Sequence, residues 1–304
     1  MNIRNISNKE LHKYTSLSKN DNCNFKNELL KWLGDGRTKI EYCFVVEEND
    51  EFLGRIVYGL FKDEPNDLKI WNMTLRDGNF DVISIYNKLI RESMNKMKLE
   101  NFKTIEYHLY SDGNDSFERY KEIFLRCGFE IVQEKSSFIC DEFNRENLSS
   151  VLNFKSLREV GENKFLKAIE RVTENTLDQD DLNCINEYGS KEAARKYFNI
   201  LKTIDFNEDW WNLAYENEGE FVGLVVPQQF NKNIGAINYI GVTPEKRGKG
   251  YVNELLWHGT KVLFNNAIKE IIADIDVKNF PMERSLYNQN YKFKNKMAIL
   301  KITL

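Results

Sequence analysis

Three histidines and five cysteines are few for a chain of 304 residues, and their placement excludes whole classes of chemistry. Cys23, Cys43, Cys127, Cys140 and Cys184 are odd in number, widely scattered and without a C-x-x-C pair, so neither a disulfide framework nor a zinc knuckle is expected. They read as reduced, mostly packed thiols. A cysteine nucleophile would want a histidine base, and only His12, His108 and His258 could supply one or bind a metal. Each reads as structural or surface, and no metal is expected. Neither sign of charge predominates: Lys+Arg 43 against Asp+Glu 47 leaves a net charge of -4, which gives no electrostatic footprint for nucleic acid. No apolar run approaches the roughly 20 residues of a membrane span. The start, Met1-Asn2-Ile3-Arg4-Asn5, lacks the apolar stretch of a secretory signal, so the expected compartment is the cytoplasm, away from any membrane.

What is present is ample core-forming material, 41% hydrophobic and 13% aromatic, over a length of about two domains. A polar segment, Asp141 to Ser150, sits near the middle, which predicts one domain over residues 1–145 and a second over 150–304. The two halves share an order of elements. Phe44-Val45-Val46, the turn Glu48-Asn49-Asp50 and Phe52 to Val57 read as a hairpin, as do Trp211 to Tyr215 and Phe221 to Val226. Glu51-Phe52-Leu53-Gly54 and Glu220-Phe221-Val222-Gly223 are near copies. Each is followed by a strand and a long helix, Val82 to Lys98 in one half and Tyr251 to Asn266 in the other. Val252, Leu255, Leu256, Gly259, Val262 and Leu263 recur at helical spacing and predict a buried stripe. The halves also end alike, Phe124 to Phe129 against Leu286 to Tyr291. A duplicated α/β unit is expected.

Between the strand Ile237 to Val242 and the second of these helices lies Pro244-Glu245-Lys246-Arg247-Gly248-Lys249-Gly250. A strand, a basic glycine loop and a helix amino terminus together make an anion site: glycines let successive N–H groups turn to one ligand, the helix dipole adds partial charge, and Arg247 and Lys249 add full ones. A pyrophosphate is the natural ligand. Spacing excludes a P-loop, which would need glycine at Thr243 and a hydroxyl residue at Gly250, and a dinucleotide fingerprint, which would need glycine at Asn253. The four residues Arg247 to Gly250 alone read better as a solvated turn, since Arg, Lys and Gly are all common in loops.

The wider segment Val242 to Tyr251, with Glu254-Leu255-Leu256 following, resembles the coenzyme A signature of the GNAT N-acetyltransferase superfamily, Arg/Gln-x-x-Gly-x-Gly/Ala. Arg247, Gly250 and Val252 occupy its fixed positions, Val252 in place of a small residue. The next strand and helix, Ile271 to Met282, resemble those of tandem members of the superfamily. The resemblance implies an α/β (α+β) fold of two tandem GNAT-like domains, each a mixed, largely antiparallel sheet flanked by helices. It implies acetyl-coenzyme A as co-substrate, held by the loop Arg247, Gly248, Lys249 and Gly250, by the helix start at Tyr251 and Val252, by the strand edge at Ile240 and Val242, and by Asn279. The Val242 N–H would polarise the thioester carbonyl. Asn279 is equally an ordinary strand-ending cap.

Transfer to an amine needs a proton acceptor, because an alkyl ammonium has a pKa of about 10. Asp274 and Asp276 alternate with apolar neighbours and are expected on one face of their strand; Asp276, nearer its end, is the expected base. Asp276 is equally a surface carboxylate. The position at which the family places a tyrosine acid is Leu286, and Tyr287, one residue on, is turned from it by about 100°. In the first half Asp77 and Phe80 align with Arg247 and Gly250, which implies a degenerate domain without coenzyme binding. The expected reaction is acetyl transfer to a small-molecule or peptide amine in a ternary complex. The alternatives are a non-catalytic acetyl-coenzyme A sensor and a scaffold that binds nothing. Trp210, Trp211, Tyr215 and Phe230 are candidates for an acceptor pocket or for core.

Overall fold

Strand-period and helix-period patterns settle into a mixed α/β architecture in the computed structural model, which describes residues 1–18, 23–61, 64–76, 81–111, 116–143, 151–204, 206–216 and 219–304. Two units make up the chain, Met1–Val132 with Met297–Leu304, and Gln133–Lys296. Of the polar segment between the expected domains, residues 144–150 lie outside the described residues.

The first unit runs β1 (Asn2–Asn5), α1 (Leu11–Thr15), α2 (Cys23–Gly34), β2 (Cys43–Glu48), β3 (Glu51–Phe61), β4 (Glu64–Leu75), α3 (Val82–Leu99), β5 (Thr104–Tyr110) and α4 (Ser116–Arg126). Strand β6 (Glu130–Cys140) leads into the second unit, which continues with β7 (Asn153–Ser156), α5 (Leu157–Val160), α6 (Glu162–Val172), α7 (Gln179–Tyr188), α8 (Ser190–Lys202), β8 (Asn212–Tyr215), β9 (Phe221–Gln229), β10 (Ile234–Val242), α9 (Tyr251–Asn265), β11 (Glu270–Asp276), α10 (Phe280–Asn288) and β12 (Lys292–Thr303). The first unit orders its strands β1-β2-β3-β4-β5, with Met297–Thr303 of β12 antiparallel to β5. The second orders them β7-β8-β9-β10-β11, with Lys135–Cys140 of β6 antiparallel to β11. Within each unit the strand pairs are antiparallel except for one parallel pair, β4/β5 in the first and β10/β11 in the second.

Side-chain alternation along the strands gives those of each unit two apolar faces. In the second unit Leu224 and Val226 face α6 and α8, while Val225 faces α9. Helix α6 buries Phe165, Ala168, Ile169 and Val172, spaced i, i+3, i+4 and i+7, so one stripe seals it to the sheet. Helix α9 buries Leu255, Leu256, Gly259 and Leu263 as expected; Thr260 joins them, its hydroxyl 2.7 Å from that of Tyr291, while Val252 and Val262 are half-buried. Gly259 lets the helix sit close, because a Cβ there would meet Val225 at 2.7 Å and Ile237 at 2.9 Å. Among the described residues no helix is long and apolar enough to cross a membrane.

The duplication expected from the near-copy hairpins extends to backbone register. Gly54 faces Leu75, the last residue of β4, and Gly223 faces Val242, the last residue of β10. One residue of β3 and of β9 is skipped at the same place, between Phe52 and Gly54 and between Phe221 and Gly223. A second bulge falls at Trp71 in β4 and at Asn238 in β10, each four residues before the strand end. Two independent irregularities at matching positions fix the equivalence of the units more firmly than composition does.

Candidate functional site

Strands β10 and β11 pair only at Ile234–Ala236 against Glu270–Ile272. Beyond Ala236 they part, and the edge of β10 from Ile237 to Val242 is left unpaired on its β11 side. The local sequence accounts for the parting. Pro227 stands opposite Ile237 and has no N–H to give the ladder, and the bulge at Asn238 adds twist just there. The bulge is pinned: Asn238 Nδ2 donates to Gln228 Oε1 at 2.5 Å, and buried Gln228 donates to the Leu201 carbonyl at 2.8 Å.

The direction of the free edge follows from one bond. Thr243 N–H donates to the Val222 carbonyl on the β9 side at 2.9 Å. Alternation then turns the N–H and C=O of Val242 and Ile240 away from β9, into the space between β10 and β11. The Val242 carbonyl is found there, accepting from Arg247 Nε at 3.0 Å.

The loop after β10 is built to leave donors open. Pro244 starts a single turn, Pro244–Lys246, and Gly248 and Gly250 then take left-handed conformations with φ of 75° and 83°. Gly250 is the residue that caps α9, and it has no side chain to occupy the helix end. Among the described residues no acceptor takes up the N–H groups of Gly248, Lys249, Gly250, Tyr251 or Val252. Orphan donors and the positive end of a fifteen-residue helix converge there.

The basic side chains differ from expectation. Arg247 aims its guanidinium at backbone carbonyls, donating to Val242 at 3.0 Å, Asn175 at 2.8 Å, Val172 at 2.9 Å and Glu174 at 2.7 Å. It ties the end of β10 to the carboxyl end of α6 through those carbonyls and lines the cleft beside them. Lys246 pairs with Glu216 at 2.6 Å and with Glu220, and the Tyr251 hydroxyl also donates to Glu216. A cleft of about 290 Å³ results. Its walls are Val172, Asn175, Thr176 and Leu177; Ile240 to Val242; Lys246, Arg247, Gly248, Gly250, Tyr251 and Val252; and Asn279, Pro281 and Met282. Of the residues expected to hold a coenzyme, Ile240, Val242, Arg247, Gly248, Gly250, Tyr251, Val252 and Asn279 meet in this cleft. Lys249 instead lines a neighbouring depression with Lys164, Lys167 and Arg171.

Residues 175–291 match the acetyltransferase (GNAT) family. This part of the chain is a GNAT domain. A GCN5-related N-acetyltransferase from Sphaerobacter thermophilus shares the fold at 13% identity, with 99% of this chain and 95% of that one covered and a TM-score of 0.61. A tandem GNAT protein from the clavulanic acid biosynthesis pathway, 10% identical, covers 99% and 98% with a TM-score of 0.54. A GCN5-related N-acetyltransferase from Kribbella flavida, 11% identical, covers 90% and 93% at 0.53. No curated protein matches the sequence. The whole chain therefore has the fold of a tandem GNAT protein.

In the GNAT domain Asn279 stands at the amino end of α10 and accepts from Met282 N–H at 3.3 Å, so the cap and the cleft wall are one residue. Neither expected proton carrier lines the cleft. Asp276 is 3% exposed, and its two oxygens accept the N–H groups of Lys278 at 2.9 Å and Gln179 at 3.3 Å. This carboxylate joins the end of β11 to the start of α7, a positioning role that leaves it no access to the cleft. Asp274 is exposed and accepts from Ser137 at 2.5 Å, so the two aspartates do not share a surface. Tyr287 is 51% exposed and packs edge-on against Phe138, because Leu286 takes the inward position on α10. Trp211 is core, between Phe165 and Phe198.

A second cavity, of about 220 Å³, opens on the other side of the splay, and sequence reading missed it. Thr176, Ile240, Asn279 and Met282 line both spaces. Asp178, Asp180, Asp181, Tyr197, Phe230, Tyr239 and Asp274 line the second alone. The run Asp178-Gln179-Asp180-Asp181 carried the only signal, and it also reads as a helix start: Asp178 does cap α7, accepting from Asp180 and Asp181 N–H. Burial first, then the neighbouring Asp178, raises the Asp181 carboxyl to about 7. Among the described residues no group of three or more His, Cys, Asp or Glu is placed to hold a metal ion.

Proposed function

We propose that the GNAT domain binds acetyl-coenzyme A in the cleft between β10 and β11 and supports transfer of its acetyl group to an amine in a ternary complex. One observation carries this reading: the open N–H groups from Gly248 to Val252 stand at the mouth of a cleft whose side wall is an unpaired strand edge. The loop donors fit a pyrophosphate, and the Ile240–Val242 edge fits an amide-bearing arm that lies along it as an added strand. Bound there, the thioester supplies an activated acyl carbon. Val242 N–H, turned into the cleft, would polarise the acyl oxygen, and Asn279 would hold the arm at the opposite wall.

The first unit supports this division of labour. Asp77 and Phe80 lie outside the described residues, but Asp81 caps α3 with its own carboxylate, accepting from Ser84 N–H at 3.2 Å. An anion already occupies the helix end that in α9 is open. A binding protein without turnover is the second reading, favoured by the absence of Asp276 and Tyr287 from the cleft.

Calorimetric titration of the full chain with acetyl-coenzyme A tests the assignment. Valine at Gly250 cannot adopt a φ of 83° without strain, so Gly250→Val should lower affinity by about ten- to a hundredfold while the helical content persists. Equal affinity in the variant, or no binding by the unaltered chain, would overturn the proposal. Acetylation of any amine from a panel separates the enzyme from the sensor.

A further inference from the structure

Amine acetylation leaves a proton to be placed, and among the described residues no side chain lining the coenzyme cleft is a carboxylate or a histidine. The second cavity supplies one. It meets the first at Ile240 and Asn279, where the acyl carbon would lie, so a molecule entering it reaches the thioester from the side opposite the coenzyme. We infer that this cavity admits the acceptor amine and that Asp181 takes the proton the amine must lose, an inference that rests on the acetyl-transfer reading above.

The other carboxylates of the region are committed elsewhere. Asp178 accepts from Asp180 N–H, Asp181 N–H and Gln133 Nε2, and Asp276 is held by two backbone N–H groups. Asp180 and Asp274 stand exposed at the rim. Among the described residues the Asp181 carboxylate is held only by hydroxyls, Thr176 Oγ1 at 3.3 Å and Tyr239 at 3.4 Å, both on Oδ2. Long hydroxyl bonds can rotate away, whereas a backbone N–H cannot. Among the described residues the groups that face Asp181 are the cap Asp178, Asp180 and Cys184 on its own helix, Tyr197 on α8 and Tyr239 on β10, with Lys135 on β6 and Asp274 on β11 lining the same cavity. Apart from burial, the carboxylates Asp178 and Asp180 raise its pKa and the two hydroxyl bonds lower it, leaving it at about 7. It is therefore largely ionised above neutral pH, as a proton acceptor needs to be, and protonated and idle below it.

The balance is as follows. An ammonium gives one proton to Asp181, which passes it to solvent; the freed amine attacks, the C–N bond forms and the C–S bond breaks. The nitrogen's second proton leaves with the departing sulfur as the thiol.

The test is steady-state acetylation of a primary-amine panel by the full chain from pH about 5.5 to about 9, beside calorimetry with acetyl-coenzyme A. For the unaltered chain kcat/KM should rise through a one-proton limb near 7. Asp181→Asn should keep coenzyme affinity, lower turnover by about 10²- to 10⁴-fold and erase the limb. Tyr239→Phe removes a bond to the carboxylate and should move the limb to higher pH. A stability readout checks placement independently. Folding raises this pKa, so the unaltered chain should lose stability as pH climbs through about 7, and Asp181→Asn should not. Wild-type turnover with an unchanged limb in Asp181→Asn, or loss of coenzyme binding in it, overturns the assignment of Asp181. A chain that binds no acetyl-coenzyme A, or binds it and acetylates nothing, overturns the transfer reading itself.

Discussion

Replacing Gly223 with alanine should lower the stability of the second unit by about 3 kcal/mol, a large fraction of what a domain has. The added Cβ would lie 2.2 Å from the Gly241 carbonyl oxygen and 3.1 Å from the Val242 Cα. Both are backbone, on the strand that forms the cleft wall, and neither can rotate aside. The matching change in the first unit, Gly54→Ala, meets the tip of the Leu75 side chain at 2.5 Å and the Thr74 carbonyl at an acceptable 3.4 Å. A leucine tip can move to another rotamer, so about 1 kcal/mol is expected. Urea unfolding of the two variants, followed by tryptophan fluorescence, measures both. Gly54→Ala proving the costlier change would contradict the packing described for β9 and β10.

Arg247→Ala should weaken the fold and the coenzyme site together. Four carbonyls, those of Val172, Glu174, Asn175 and Val242, lose their donor at once. The side chain is partly in solvent, so water replaces some of these bonds and a cost of about 2 kcal/mol is expected, well short of four full charge-assisted bonds. Affinity for acetyl-coenzyme A should fall by about tenfold or more, because the freed loop must be reordered on binding. Arg247→Lys should rescue little: one ammonium cannot serve carbonyls spread around a planar fork. The expectation fails if Arg247→Lys matches the unaltered chain by calorimetry and thermal unfolding, or if Arg247→Ala changes stability without changing affinity.

Local signals were legible where one residue type had one physical use. The helix expected over Tyr251 to Asn266 is α9, Tyr251–Asn265, and that expected over Val82 to Lys98 is α3, Val82–Leu99, since apolar spacing and a glycine or aspartate at the start leave little choice. Gly248 and Gly250 marked the positive-φ positions of the anion loop. What a sequence does not display is the direction in which a polar side chain points. Arg247 could as well have faced a phosphate; three of its four target carbonyls, those of Val172, Glu174 and Asn175, lie more than seventy residues upstream, a pairing invisible to spacing. Asp276 sat at the right end of the right strand, yet the N–H groups of Gln179 at the start of α7 and of Lys278 just after β11 hold it inside. Asp181 is one of several acids in a helical first turn, and what sets it apart, burial and a bond from Tyr239 fifty-eight residues away, is not displayed by the sequence. The partners of the last strands were also hidden, because a strand joins whichever open edge it reaches, and residues 297–303 pair with β5 while 135–140 pair with β11.

Amide hydrogen exchange of the full chain with and without acetyl-coenzyme A addresses the central claim most directly, since the site is defined by N–H groups that lack protein acceptors. Saturating acetyl-coenzyme A should slow exchange at Gly248 to Val252 and at Ile240 and Val242, and leave the first turn of α3, at Val82 to Ile85, unchanged. Protection confined to α3, or none in the loop and strand edge despite saturation, would contradict the assignment of the coenzyme site to the second unit.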